Sequence, residues 1–306
     1  MNAARPPRPK RIDLQGHRGA RGLLPENTLP AFSRAIEIGV DTLELDCALT
    51  RDRVVVVAHD AALNPEITRD AAGRWLEKSG PAIWQLTYDE LRQYDVGRIR
   101  PDSEYARRFP RQQALDGVRI PRLADVFDSV SDARATGVRF NIETKVSPVA
   151  PAETADPETF TRALLDVIDT SGMAARVSVE SFHWETLALV QRLAPAIPTV
   201  CLTAEQHWTD NICRRAQTSQ WTAPHHVSHH GGSLPAMVRA AGGQAWSPNF
   251  EEVTVEGIAE AHALALQVIV WTVNDEHHMR RMADLGVDGI MSDYPDALVR
   301  LFRTPA

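Results

Sequence analysis

Short apolar runs recur along this chain, and stretches of helical period separate them. The strand-like runs cover residues 11–16, 41–47, 139–145, 177–182, 198–203, 244–247, 267–273 and 288–292. The spacing between them predicts helices over 28–38, 123–130, 158–169, 184–193, 255–264 and 275–285. In the first, Phe32, Ala35, Ile36 and Gly39 share a face; later, Phe160, Leu164, Val167 and Ile168 do the same. Gly39, Gly137, Gly172 and Gly286 fall just before strands, where a left-handed helix cap is expected.

Strands alternating with helices predict an α/β fold, a (β/α)8 TIM barrel, with a doubly wound open sheet as the rival. A barrel requires its working residues at the C-terminal ends of strands. His17, Glu44, Asp46, Glu143, Lys145 and Trp271 all stand there. Two segments interrupt the alternation. The first, about 60–120, follows the second strand and His59, is polar and Pro-punctuated, and carries Trp75, Trp84, Tyr88, Tyr94, Tyr105 and Phe109. An insert this long is functional or a small subdomain, and its start places it over the site. The second, 204–243, holds most of the remaining histidines. The expected organisation is a disordered lead-in over 1–10 and a single catalytic barrel over 11–306.

Composition changes this picture little. A chain of 306 residues buries roughly 75% of its unfolded surface, so one large core is available. The net charge of -7 argues against nucleic acid or an anionic membrane as partner, while local basic groups can still hold a phosphate. Cys47, Cys201 and Cys213 form no paired spacing; Cys47 and Cys201 sit in apolar strands and read as buried thiols. No apolar run reaches the length of a membrane span, and 1–10 lacks the hydrophobic stretch of a secretory signal. The expectation is a cytoplasmic enzyme with no stable membrane association, its oligomeric state unspecified.

The candidate chemistry is concentrated at the strand ends, where His17 and His59 are expected to be exposed. Glu44 and Asp46 are two apart on a strand, so both side chains point the same way. Two inward carboxylates are costly without compensation, and a divalent cation supplies it. Glu143 and Lys145 repeat the arrangement, with Asn141 on the same face. The bland alternative is a solvated strand end or a Glu143–Lys145 ion pair. Three carboxylates make a hard oxygen site for one Mg²⁺ or Ca²⁺. His17, followed by Arg18 and Gly19, and His59, followed by Asp60 as a candidate orienting partner, can serve as general acid and base. The run His225-His226-Val227-Ser228-His229-His230 has no accompanying carboxylate and reads as a polar loop. Together these residues suit metal-assisted cleavage of a phosphate ester.

The order His17-Arg18, Pro25-Glu26-Asn27-Thr28, Glu44-Leu45-Asp46 and His59-Asp60 resembles the glycerophosphodiester phosphodiesterase family. The likeness continues through Leu86-Thr87-Tyr88-Asp89-Glu90-Leu91, Ile120-Pro121-Arg122-Leu123 and Asn141-Ile142-Glu143-Thr144-Lys145. It closes with Trp271-Thr272-Val273-Asn274 and the run from Gly286 to Pro295. The resemblance implies a TIM barrel with an insert after the second strand, and metal-dependent hydrolysis of small glycerophosphodiesters to glycerol 3-phosphate and an alcohol. By position it implies Glu44, Asp46 and Glu143 on metal and His17 and His59 as acid–base pair. It further implies Arg18 and Lys145 on phosphate and Trp271 lining the glycerol pocket. The run Asn64-Pro65-Glu66-Ile67-Thr68-Arg69 departs from the family's usual Arg-Thr-Thr-like sequence, which bears on the alcohol side.

Two alternatives accompany this reading. A phospholipase D-like lyase acting on (lyso)phospholipid would want an apolar rim, for which the insert's aromatics are candidates. A non-catalytic barrel binding glycerol phosphate should have lost a histidine or a carboxylate, and this chain keeps them.

Overall fold

Eight parallel strands close on themselves, and a ninth lies antiparallel against the second. Residues 11–303 are described in this computed structural model. The expected lead-in over 1–10 lies outside them. The chain runs β1 (Asp13–Gly16), α1 (Leu29–Ile38), β2 (Thr42–Leu49), β3 (Val55–Val57), α2 (Tyr88–Leu91), α3 (Glu104–Arg108), α4 (Leu123–Asp132) and β4 (Arg139–Thr144). It continues through α5 (Pro157–Thr170), β5 (Val177–Ser181), α6 (Trp184–Leu193), β6 (Thr199–Thr203), α7 (Leu234–Ala240) and β7 (Ala245–Pro248). The last elements are α8 (Val255–Ala263), β8 (Gln267–Val270), α9 (Glu276–Leu285), β9 (Gly289–Ser292) and α10 (Pro295–Phe302). The barrel order is β1-β2-β4-β5-β6-β7-β8-β9 and back to β1. This is a TIM barrel, and the open-sheet rival is set aside.

Strand periodicity decides which residues face which way. Leu14, Leu43, Leu45, Phe140, Ile142, Val179, Cys201, Trp246, Val268 and Val270 point outward and join the core beneath the helices, with Phe32, Phe127, Leu164 and Met282. The alternate positions point into the barrel. There Val200, Ala245 and Ile269 form a separate small apolar cluster. Nearer the C-terminal mouth the inward positions are polar: Gln15, Glu44, Asp46, Asn141, Glu143 and Glu180, all buried. Cys47 and Cys201 are buried free thiols, as expected.

Local signals set the helix ends. Thr28 accepts from the Ala31 N–H, Asp156 from Thr159 and Asp275 from His278. Gly39 and Gly286 cap α1 and α9 at φ 94° and 90°. Gly137 takes no such conformation. The chain leaves α4 through Arg134, whose φ is 51°, because that helix runs on to Asp132 and turns immediately.

The β2–β3 hairpin governs the site. Its register pairs Cys47 with Val57, and the Ala58 N–H donates to the Asp46 carbonyl at 2.9 Å. The returning arm therefore delivers His59 back to the barrel mouth beside Asp46. The insert that follows has its own small core of Leu63, Ile83, Leu91, Val96 and Ile120, packed on Ala48 and Val56 of that hairpin.

Candidate active site

A cavity of about 480 Å³ opens at the C-terminal mouth of the barrel. His17, Arg18, Glu44, His59, Glu143, Lys145 and Trp271 line it. Asp46, the eighth residue expected there, is fully buried behind them.

Each histidine is held by an aspartate. His17 Nδ1 is 2.6 Å from Asp293 Oδ1, and His59 Nδ1 is 2.7 Å from Asp60 Oδ1. Asp293 is fixed in turn by the Asn274 side-chain amide at 2.7 Å, and Asp60 by Asn64 at 2.8 Å. Burial opposes ionisation of both aspartates, but the adjoining imidazoles and hydrogen bonds hold their carboxyls below the usual range. An ionised aspartate accepts only, so each Nδ1 donates and each Nε2 carries the free lone pair. His17 Nε2 lies 3.8 Å from Glu44 Oε2, on the acidic side of the cavity. Burial lowers both imidazole pKa values; Arg18 and Lys145 add to the effect at His59, bringing it to about 4. The expectation that both histidines sit at exposed strand ends fails for His17, which is 9% exposed. Asp293, just past β9, packs against it.

The cations are positioned as tightly. Arg18 Nη1 donates to Glu26 Oε1 at 2.6 Å, and Nε lies 3.2 Å from Asp46 Oδ2. Asn27 Nδ2 donates to the same Asp46 oxygen at 2.8 Å. Lys145 Nζ donates to Glu143 Oε1 at 2.7 Å and stands 3.5 Å from Asp46 Oδ1. Thus Pro25-Glu26-Asn27-Thr28 has three separate tasks: Glu26 holds Arg18, Asn27 holds Asp46, and Thr28 caps α1.

Carboxylate oxygens of Glu44, Glu143 and Glu180 lie within 4.8 Å of one another, a group able to hold a metal ion. Burial, then neighbouring negative charge, pushes Glu44 and Glu180 well above the ordinary carboxyl value; burial raises Glu143 despite Lys145. Asp46 goes the other way: burial is outweighed by Arg18 and Lys145, which hold its carboxyl well down. Crowded all-oxygen donors of this kind fit a hard divalent ion. The histidine run 225–230 has no part in this group; it forms a short helical turn, with His226 Nδ1 2.8 Å from Ser228 Oγ.

Sequence reading missed several residues. Glu180 lies in a predicted strand, and its signal was a charge at an inward position of a buried run. Asp293 stood in a quoted motif without a role. Arg21 is buried, pairs with Glu26 at 2.9 Å and lies over the Phe109 ring. The aromatic wall of the cavity comes from Phe182, Trp208, Trp221 and Trp271. None of the insert's aromatics lines the cavity; the insert contributes Ala61 and Arg108, while Tyr105 and Phe109 pack on Arg21.

Residues 17–297 match the model of the Glycerophosphoryl diester phosphodiesterase family. A glycerophosphodiester phosphodiesterase of Bacillus altitudinis is 29% identical, over 93% of this chain and 96% of its own. A lysophospholipase D of Homo sapiens is also 29% identical, over 92% and 83%. Among solved structures, a Silicibacter pomeroyi protein assigned as a glycerophosphoryl diester phosphodiesterase superposes with a TM-score of 0.85 at 37% identity, covering 96% of this chain and 94% of that one. An Oleispira antarctica phosphodiesterase, solved in complex with the product sn-glycerol-3-phosphate, shares the fold at 20% identity, with a TM-score of 0.69 and coverage of 97% and 98%.

Proposed function

The chain belongs to the glycerophosphoryl diester phosphodiesterase family, and on that premise we propose that it hydrolyses small glycerophosphodiesters to glycerol 3-phosphate and an alcohol. The observation that carries this reading is the opposition of two aspartate-held imidazoles to Arg18, Lys145 and a buried acidic group within one cavity. Residues 11–306 act as one catalytic unit.

Arg18 and Lys145 orient the phosphate and stabilise the charge that grows on its oxygens. Their fixed partners keep both heads aimed before substrate arrives, so little reorganisation remains to be done. Glu44, Asp46 and Glu143 would hold one divalent cation, Mg²⁺ or Ca²⁺, which when bound would neutralise phosphoryl charge and lower the pKa of an adjacent hydroxyl. One imidazole Nε2 takes a proton from the attacking oxygen, water or the neighbouring glycerol hydroxyl. The other gives a proton to the leaving alcohol as its P–O bond breaks. His59 receives a proton more readily once substrate charge offsets Arg18 and Lys145. The flat face of Trp271, whose indole Nε1 donates to the Ser247 carbonyl at 2.9 Å, lines the glycerol pocket.

The test is product analysis of purified protein with glycerophosphocholine, with and without Mg²⁺, Ca²⁺ or chelator. Glycerol 3-phosphate plus choline is expected, and phosphocholine as the product would overturn the reading. One observation favours a second reading, phospholipase D-like lyase chemistry on (lyso)phospholipid: Trp208 is 57% exposed beside Trp271 at the cavity mouth, an apolar rim supplied by the second insert. A stable cyclic phosphate formed from lysophosphatidylcholine would support it. Among the described residues no helix is long and apolar enough to cross a membrane.

A further inference from the structure

Three barrel strands place carboxylates at one level. The β2–β4 register pairs Asp46 with Glu143, and the β4–β5 register pairs Glu143 with Glu180. Partners across a parallel sheet share a face, so all three side chains enter the barrel together, and Glu44 enters one step below Asp46. We infer that Glu180 is a further ligand of the divalent ion and that this fourth carboxylate biases the site toward Ca²⁺. The inference rests on the metal-dependent reading above.

Two further observations support it. First, Asp46 Oδ1 is fully buried with no hydrogen-bond partner, its nearest cation being Lys145 at 3.5 Å. A shielded oxygen left in this state, in the same row, is what a missing positive group would satisfy. Second, the charges do not cancel. Glu26 is paired with Arg21 and shares Arg18. When all four are ionised, as ligands of a cation are, Glu44, Asp46, Glu143 and Glu180 face only Arg18 and Lys145, an excess of two negative charges. A divalent ion matches that deficit, and buried charge without a partner is costly.

Glu180 is also built to hold its direction. Asn141 Nδ2 donates to Glu180 Oε2 at 2.6 Å, while Ser178 Oγ donates to Asn141 Oδ1 at 2.8 Å. One carboxylate oxygen is thus occupied and the other remains for a ligand. Four carboxylates on rigid strands suit Ca²⁺, which takes six to eight oxygens, better than Mg²⁺, which keeps several waters and uses one or two carboxylates (about two, at most).

The test is titration of the metal-stripped full chain with Ca²⁺ and with Mg²⁺ by calorimetry, paired with thermal midpoints. Glu180→Gln should weaken Ca²⁺ binding by about tenfold or more and Mg²⁺ binding by less. Its metal-free midpoint should hold or rise, since repulsion is relieved, while its Ca²⁺-induced rise shrinks. Glu180→Asp, which keeps the charge but shortens the reach, should weaken Ca²⁺ binding too, and it decides the matter if the glutamine variant does not fold. Glu185→Gln, outside the cavity, should bind as wild type does. Unchanged Ca²⁺ affinity in the Glu180 variants, with wild type binding normally, overturns this inference alone. Absence of binding by wild type overturns the metal reading and this inference with it.

Discussion

His17 Nδ1 and Asp293 Oδ1 meet at 2.6 Å although 276 residues separate them in the chain. The contact joins the end of the first barrel strand to the end of the last, across the seam where the barrel closes. It fixes the tautomer that presents Nε2 to the cavity. Asp293→Asn should therefore lower kcat by about 10²–10⁴-fold, as loss of a positioned acid or base does, with little change in KM. Steady-state kinetics check this. Because the pair acts as a unit, adding His17→Ala should cost little more. A full multiplicative loss in the double variant would show the two acting separately.

His17→Ala and His59→Ala should each reduce kcat by about 10²–10⁴-fold. Their effects on folding should differ. His17 is buried and its loss leaves Asp293 short of a partner, a cost of about 1–3 kcal/mol. The His59 side chain is 33% exposed, so its removal should hardly move the unfolding midpoint. Denaturation curves compare the two; equal destabilisation would contradict the burial difference.

Chelator should abolish activity, and a hard divalent cation should restore it. Glu44→Gln or Asp46→Asn should weaken metal binding and reduce the stabilisation that metal confers. Elemental analysis of the active protein gives the direct check, and full turnover in excess chelator would remove the metal from the reaction.

Metal-free protein should lose stability as pH rises from about 6.5, through the value of about 7 to which burial pushes Glu143. Burial and neighbouring charge raise the carboxyls of Glu44, Glu180 and Glu143. A group with a raised folded pKa holds its proton more tightly folded than unfolded, so the stability it lends at low pH fades as pH climbs through that value. The lowered groups, His17 and His59 among them, exert their opposite slope below the ordinary histidine value of about 6.5. Thermal midpoints in chelator should fall across the window, and saturating Ca²⁺ should flatten the trend. A midpoint that rises with pH in chelator would refute the assignment of these glutamates as protonated in the metal-free state.

Trp271→Ala should raise KM for every glycerophosphodiester by a similar factor without reordering head-group preference. Phe182 and Trp208 pack edge-on to its ring, at 5.4 and 6.1 Å between centroids, so its loss opens the wall proposed above for the glycerol half. A substrate panel differing only in the alcohol provides the measurement. Reordered preference with the glycerol requirement intact would place the alcohol on this wall instead.

The alternation of strands with helices was enough to read the barrel, and the period of two along a strand the shared inward direction of Glu44 with Asp46 and of Glu143 with Lys145. Side-chain direction along a strand is a local property, carried by neighbours in sequence. The histidines were legible for the same reason, as was Asp60, which adjoins His59. What lies across the barrel was not. Only strand register sets Glu180 level with Glu143, and only closure brings Asp293 to His17. Only the antiparallel return of β3 lowers His59 to Asp46. The aromatics of the first insert were candidate cavity walls by position, yet Tyr105 and Phe109 pack on Arg21, Tyr88 and Tyr94 on the insert's own core, and Trp84 on the barrel's. The wall is instead built by Trp208 and Trp221, from a segment read mainly for its histidines. Burial was misjudged at His17 because Asp293, distant in sequence, packs against it. Each of these facts depends on which distant segments share space, and a one-dimensional pattern of apolar and polar residues does not encode that pairing; packing of the closed barrel decides it.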